Sequence, residues 1–410
     1  MPSVAAMPAE DAPPAVAEVQ GLYGAFTFPE KLLQKIWLRG DFDAAGAVTL
    51  DGHPVRVLHP GKWNLLGGPD FTGARLRIGG ATAREVTGDV EVHLRADDWR
   101  AHHHANDPAY AGVVLHVVLF PPEKNHVTIG VGGQAIPVLA LLPILHRALE
   151  EFAADEAVER LAQRPDARML EELSPLPPAE LEALIGRHAG MRWRQKVHFA
   201  RLRLDRLGWD AACHVAALEI LGYRFNRAPM LRVAARWPLA AWADGTALAE
   251  EALASEAGAW SVQGVRPANH PRVRLAQYAA WARARPDWPA RLRELARRLP
   301  AIEPGEAATR DVRRTRGLTR LRATLAAEVC ADAVGGTRLD NLVCDGLLPL
   351  IAARESARLG GVWHHWFPGD FPPVIARGLR QLALCDGRSR PSCHGVAQGL
   401  LGWLLERGAR

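Results

Sequence analysis

The sequence predicts an α/β domain, a mixed sheet with flanking helices, followed by an all-helical region. Three observations carry this expectation. Residues 29–38 hold an apolar stripe of helical period, and residues 47–141 hold short alternating or apolar segments bounded by turn residues. Helical patterns then run from about residue 142 to the end. The expected organisation is a leader over 1–22, an α/β domain over 23–145 and a helical domain over 146–410.

The leader MPSVAAMPAEDAPPAVAEVQ is rich in Pro, Ala and Glu, a composition that reads as disordered. In PEKLLQKIWL, Leu32, Leu33, Ile36 and Trp37 share one helical face, and Pro29 suits the opening turn. AVTL and PVRVLHP flank Asp51-Gly52, a hairpin signal. ARLRIGG alternates. GDVEVHLR alternates again, with Val90, Val92 and Leu94 on one face and Asp89, Glu91 and His93 on the other. VVLHVVLF is almost continuously apolar, as in a strand buried on both faces. The polar stretch from Asp97 to Tyr110 between them reads as a loop with a short helix, and VTIGV and AIPVLAL add two strands. In the helical half, Pro-rich breaks at 175–178, 267–271 and 368–373 punctuate the helices.

Composition narrows the class. The chain has 410 residues, 48% apolar and 23% charged, an ordinary globular balance with room for two domains. No apolar run approaches the roughly 18 to 20 residues of a membrane span, and the N-terminus lacks the basic start and apolar core of a secretory signal. The five cysteines are odd in number and scattered, which suits reduced thiols. Together these features point to a cytoplasmic protein with no membrane partner. A formal charge of +5 permits an acidic partner such as nucleic acid without requiring one. With 45 arginines against five lysines, arginine counts alone say little about such a partner.

The segment GGPDF, at residues 67–71, followed two strands later by Glu91-Val92-His93, is where chemistry is expected. A carboxylate at the start of one strand and another within the next can converge on one divalent cation. Oxygen ligands suit Mg²⁺ or Mn²⁺, which keep positions open for water and a phosphate oxygen. The order helix, strands, Pro-Asp, Glu-x-basic, helix, strand resembles the PD-(D/E)XK nuclease superfamily. The resemblance implies a restriction-endonuclease-like sheet, with Asp70 and Glu91 as metal ligands and Glu30 matching an acid that some members carry on the first helix. Its lysine position holds His93, which can act as base or ligand near neutral pH. Lys62, in HPGKWN, is a candidate for a migrated positive charge.

Plainer readings stand beside these. Asp70 after Gly-Gly-Pro suits a turn residue bonded to backbone, and Glu91 and His93 suit the solvated face of an antiparallel strand. Glu30 reads best as a first-turn acid favoured by the helix dipole. His102, His103 and His104 form a second feature, since tandem histidines on a loop can bind zinc. Consecutive residues point in different directions, so His102 and His104 are the candidates and His103 reads as surface. His116 interrupts an apolar strand and reads as a hydrogen-bonded core residue.

GPDF, GDVEVH, DDWRAHHHANDPAYAGVVLHVV and NHPRVRLAQ together resemble a bacterial family known as domain of unknown function 2851, from about Glu30 to the C-terminus. Trp99, His102 and His104 reproduce its W-x-x-H-x-H pattern. The resemblance implies that the nuclease-like segment and the helical half form one architecture. In the helical half, RHAGMRWRQKVHFARLRLDRL carries seven basic residues, among them Arg194, Lys196 and Arg201, against Asp205 alone. Such a helix could lie along a phosphate backbone, or form a solvated or ion-paired face. Cys385, Cys393 and His394 fall one ligand short of a structural zinc site. The functional expectation is a metal-dependent nuclease or related phosphodiesterase acting on DNA or RNA. Its rivals are a catalytically inactive nucleic-acid-binding protein and a His-rich zinc or manganese hydrolase.

Overall fold

The computed structural model describes residues 16–21, 24–65, 67–80, 83–123, 125–163, 168–223, 226–262, 267–303, 308–355, 358–387 and 389–408. The chain divides into two compact units, Met1–Ala153 and Ala154–Arg410. The boundary falls a little beyond the expected hinge, inside a helix rather than in a loop.

In the first unit, β1 (Val16–Gly21) pairs antiparallel with β2 (Gly24–Pro29). This corrects the end of the expected leader, because the backbone groups of Val16–Gly21 find ladder partners in β2; residues 1–15 and 22 of that expectation lie outside the described residues. α1 (Glu30–Arg39) follows and buries Leu32, Leu33, Ile36 and Trp37, the stripe its sequence marks out. It stops at Gly40, whose φ of 60° takes the left-handed conformation that side chains disfavour. The expected hairpin around Asp51-Gly52 closes through a single bridge between Val48 and Pro54.

The main sheet contains β3 (Val55–His59), β4 (Lys62–Trp63), β5 (Phe71–Ile78), β6 (Arg84–His93), β7 (Val113–Val118) and, after the small ribbon of β8 (Thr128–Ile129) and β9 (Ala135–Ile136), β10 (Val138–Ala140). The strand order is β10-β7-β6-β5-β3, with β4 also paired to β5. The pairs β3–β5, β4–β5 and β5–β6 are antiparallel, while β6–β7 and β7–β10 are parallel. A parallel pair needs a crossover. Between β6 and β7 that crossover is the histidine-bearing stretch, with α2 (Asp98–Ala101) inside it. One core gathers the α1 stripe with Phe71, Leu76, Val90, Val92, Leu115 and Val117; Trp99, Tyr110, Val113 and Ile136 form a separate small cluster.

The second unit is helical, as the patterning predicts. α3 (Leu149–Gln163) crosses the boundary, and α4 (Arg168–Leu173), α5 (Pro178–Leu207) and α6 (Trp209–Leu221) follow. The Pro-rich breaks fall between α4 and α5 and immediately before the helices Pro271–Ala284 and Pro373–Gln381. Two π-helical turns, Leu325–Val329 and Leu342–Leu347, interrupt the later helices. A π turn shifts the backbone ladder and frees carbonyls. Buried indoles supply donors there: Trp281 Nε1 donates to the Val329 carbonyl at 2.7 Å and Trp363 Nε1 to that of Cys344 at 3.1 Å. All five cysteines are free thiols. Among the described residues no helix is long and apolar enough to cross a membrane.

Candidate metal centre

The register of the sheet builds the site. Phe71 of β5 pairs with Val90 of β6, which brings the preceding Asp70 beside Glu91. The backbone N–H of Asp70 donates to Glu91 Oε2 at 2.9 Å, and the N–H of Val92 donates to Asp70 Oδ2 at 3.2 Å. Asp70 is therefore tied across the strands and not merely a turn residue. Its Oδ1 accepts from Gln34 Nε2 at 2.7 Å, and Gln34 Oε1 accepts in turn from Trp63 Nε1 at 3.2 Å. Glu91 and His93, two residues apart on β6, share a face, and His116 is the strand partner of Glu91 on β7. That face is dry: Glu91 is 5% exposed, His93 1% and His116 0%. The solvated-face reading fails because the crossover from β6 to β7 folds back over it.

The crossover delivers two more imidazoles. His103 takes the left-handed conformation at φ 59° and turns outward, exposed, while His102 and His104 point to His93. His93 Nε2 lies 3.1 Å from His102 Nδ1, 3.3 Å from His104 Nε2 and 3.4 Å from Glu91 Oε1; His104 Nε2 lies 3.4 Å from the same Glu91 oxygen. A neutral imidazole nitrogen carries one proton or one lone pair, so hydrogen bonding cannot satisfy three such contacts at once. A cation at their centre can. Tetrahedral ligands about 2.0–2.1 Å from zinc stand roughly 3.3–3.4 Å from one another, close to the 3.1–3.4 Å from His93 Nε2 to the other three donors. The donors thus fit zinc or a similar transition metal. His102 is exposed, so the group opens to solvent on that side. Tyr110 stacks on His104 with ring centroids 3.8 Å apart and fixes its orientation.

Electrostatics agree with the donor set. Burial lowers His93 far below the ordinary imidazole value, and the neighbouring histidines lower it further. Burial likewise holds His104 down at about 4, His116 at about 3 and His102 below its usual value. These rings are neutral at physiological pH, as ligands must be. The carboxyls move the other way. Burial raises Glu91 to about 8, and burial plus the neighbouring carboxyls raises Asp70 and Glu30 to about 8. Glu30 is the first-turn acid of α1, as expected, and it also feels the charges of Asp70 and Glu91. It stands one turn before Gln34 on α1, a spacing of four residues that puts both on one helix face; that signal was present in EKLLQ.

Other expected residues stand elsewhere. Lys62 is exposed on β4, opposite Thr72 of β5, and forms no ion pair among the described residues. Lys196 on α5 pairs with Asp345 at 2.7 Å, Arg201 donates to the Ala353 carbonyl at 3.4 Å, and Arg203 pairs with Glu219 at 2.6 Å. Arg194 is also partnered within the chain. Lys196 and Arg203 of this helix thus form ion pairs with Asp345 and Glu219. Two residues that hydrogen-bond behind the cluster escaped the sequence reading altogether. Thr128 and His126 lie behind His116, in a segment whose only signal was its strand-like VTIGV.

The family described as "Protein of unknown function (DUF2851)" matches residues 30–255, more than half of the 410. The chain belongs to this family. The match begins at Glu30, takes in the whole centre and ends inside the helical unit, short of the C-terminal extent its motifs suggested. No curated protein and no solved structure matches the chain.

Proposed function

We propose that this protein is a metal-dependent hydrolase that cleaves phosphodiester bonds of nucleic acid, with zinc or manganese held by Glu91, His93, His102 and His104. The convergence of His93, His102 and His104, whose donor atoms lie within 4.8 Å of one another, carries the proposal, with Glu91 Oε1 3.4 Å from the His93 and His104 nitrogens. Three imidazoles and one carboxylate favour zinc or manganese over Mg²⁺, which prefers oxygen. The substrate class rests on the PD-(D/E)XK-like succession of α1, three antiparallel strands, a short helix and a parallel strand, with Asp70 and Glu91 on adjacent strands. Bound at these donors, a divalent metal supplies a positive charge that acidifies water and offsets charge on a phosphoryl oxygen.

The chain's own groups then divide the work. His93 has both ring nitrogens engaged, one with His116 and one in the donor cluster, so it acts as a ligand and not as the base expected from the lysine position. The proton falls to Glu30. Its Oε2 is buried with no hydrogen-bond partner among the described residues, and a carboxyl near 8 is matched to proton transfer at neutral pH. Asp70, held by Gln34 and the Val92 N–H, keeps Glu91 in place through its own backbone N–H.

The test is metal analysis of tag-free protein followed by single-turnover cleavage of labelled DNA and RNA. One equivalent of zinc or manganese is expected, with cleavage that His104→Ala abolishes and Glu30→Gln slows about 10²- to 10⁴-fold, the usual range for loss of a general base. Protein that binds nucleic acid and metal without turnover makes the inactive binding protein the correct reading. Protein that retains no metal and cleaves neither substrate removes the proposal.

A further inference from the structure

We infer that His116, Thr128, His126 and Asp97 form an outer relay that fixes which nitrogen of His93 carries its proton, and so makes His93 Nε2 a lone-pair donor. The inference rests on the metal-centre reading. Each link is at hydrogen-bonding distance except the last. His93 Nδ1 lies 3.0 Å from His116 Nε2, His116 Nδ1 lies 2.9 Å from Thr128 Oγ1, and Thr128 Oγ1 lies 3.3 Å from His126 Nε2. His126 Nδ1 faces Asp97 Oδ1 at 3.9 Å.

With neutral rings the chain has two polarities, and the ends decide between them. In one, His126 Nδ1–H faces the Asp97 carboxylate, Thr128 donates to His126 Nε2, His116 Nδ1–H donates to Thr128, and His93 Nδ1–H donates to His116 Nε2. Every contact is satisfied, and His93 Nε2 presents a lone pair to the cluster. In the other, every proton is reversed: His126 Nδ1 turns a lone pair on the carboxylate, and His93 Nε2–H points at His102 and His104. The Asp97 carboxylate favours the first polarity at the outer end, and a cation on the His93 Nε2 lone pair favours it at the inner end. Metal-bound histidines commonly owe their tautomer to such a partner on the far nitrogen.

The relay is held rigidly. His116 is 0% exposed and Thr128 2%. Trp99 Nε1 donates to the Ile129 carbonyl at 2.9 Å, which ties down the strand that carries Thr128, and the indole packs against the His116 ring at 5.3 Å between centroids. Asp97 is 84% exposed, so solvent screens it and it is the weakest member. Thr128 is the critical one, since its hydroxyl must accept from one imidazole and donate to the other. These are positioning residues; Thr128 and His126 do not touch the donor cluster.

Thr128→Val removes the hydroxyl at nearly constant volume, and Thr128→Ser restores it. Zinc affinity, measured by competition with a chromophoric chelator, is expected to fall about 10- to 100-fold in Thr128→Val and to recover in Thr128→Ser. Long-range ¹H–¹⁵N NMR of metal-free protein is expected to show His93 as the Nδ1–H tautomer in wild type and Thr128→Ser, and as a mixture in Thr128→Val. An unchanged tautomer and affinity in Thr128→Val overturn the relay, as does a Thr128→Ser variant as weak as Thr128→Val. If wild type binds no zinc, the metal centre falls, while the tautomer spectra still decide the relay.

Discussion

Glu30, Asp70 and Glu91 sit where burial makes charge expensive, and the histidines beside them are neutral for the same reason. The two sets respond to pH in opposite directions. A carboxyl that keeps its proton to about 8 when folded, but loses it near 4 when unfolded, makes the fold less stable as pH rises between those values. His104 and His116, held at about 4 and 3 when folded, protonate up to about 6.5 in the unfolded chain, so they add stability as pH rises to 6.5. Above 6.5 the histidine gain is complete and only the carboxyl loss continues. Metal-free protein is therefore expected to lose thermal stability between pH 6.5 and 8, and saturating zinc to abolish most of that loss by compensating the negative charge. Calorimetry at half-unit pH steps, with chelator and with zinc, checks both; a metal-free curve that stays level from 6.5 to 8 contradicts the assignment. At this scale the sequence was informative about Asp70, Glu91, His93, His102 and His104, because motif order and spacing identify them. It was silent on Thr128 and His126, which reach the site only through the pairing of β8 with β9 and the fold of the loop before it.

Periodicity made α1, β5, β6 and β7 legible, since each has one apolar face or two, and burial follows that pattern. It misjudged the polar face of β6, because alternation alone cannot say what covers the second face. α5 shows the same limit. Its basic residues read equally as a nucleic-acid surface or as a seam, and only the fold shows that Lys196 and Arg203 have acidic partners. Burial would raise Asp345, yet the charges of Lys196 at 2.7 Å and His394, together with hydrogen bonds from Lys196 and from Asn341 Nδ2 at 3.1 Å, outweigh it and hold that carboxyl below its usual range. Removing the lysine leaves a buried carboxylate inside a π turn without its counter-charge. Lys196→Ala is expected to destabilise the helical unit by roughly 2 kcal/mol or more, toward the range for breaking a buried pair, in urea unfolding. Its nucleic-acid affinity should keep the wild-type salt dependence. A lower salt slope with unchanged stability would return Lys196 to the phosphate surface.

At the scale of the molecule, each unit closes its own apolar core. The sheet core runs from Phe28 to Phe152, and the helical cores draw on later residues, with Val158 already packed against one of them. α3 carries both Phe152 and Val158, so the division after Ala153 falls within one turn-rich stretch of helix and not at a flexible loop. The candidate donors, Glu30 and the outer relay all lie in the first unit. A ligand that binds only the folded state stabilises it by about 2.7 kcal/mol at a hundredfold excess over Kd, and that stabilisation acts on the cooperative unit that forms the site. Hydrogen exchange read by mass spectrometry, with and without zinc, is thus expected to slow in peptides from β5, β6, the crossover and β7, and to stay unchanged in peptides after α3. Slowing that reaches Pro271–Ala284 and the helices beyond it would mean that the two cores unfold as one, and that the helical unit responds to what the centre binds.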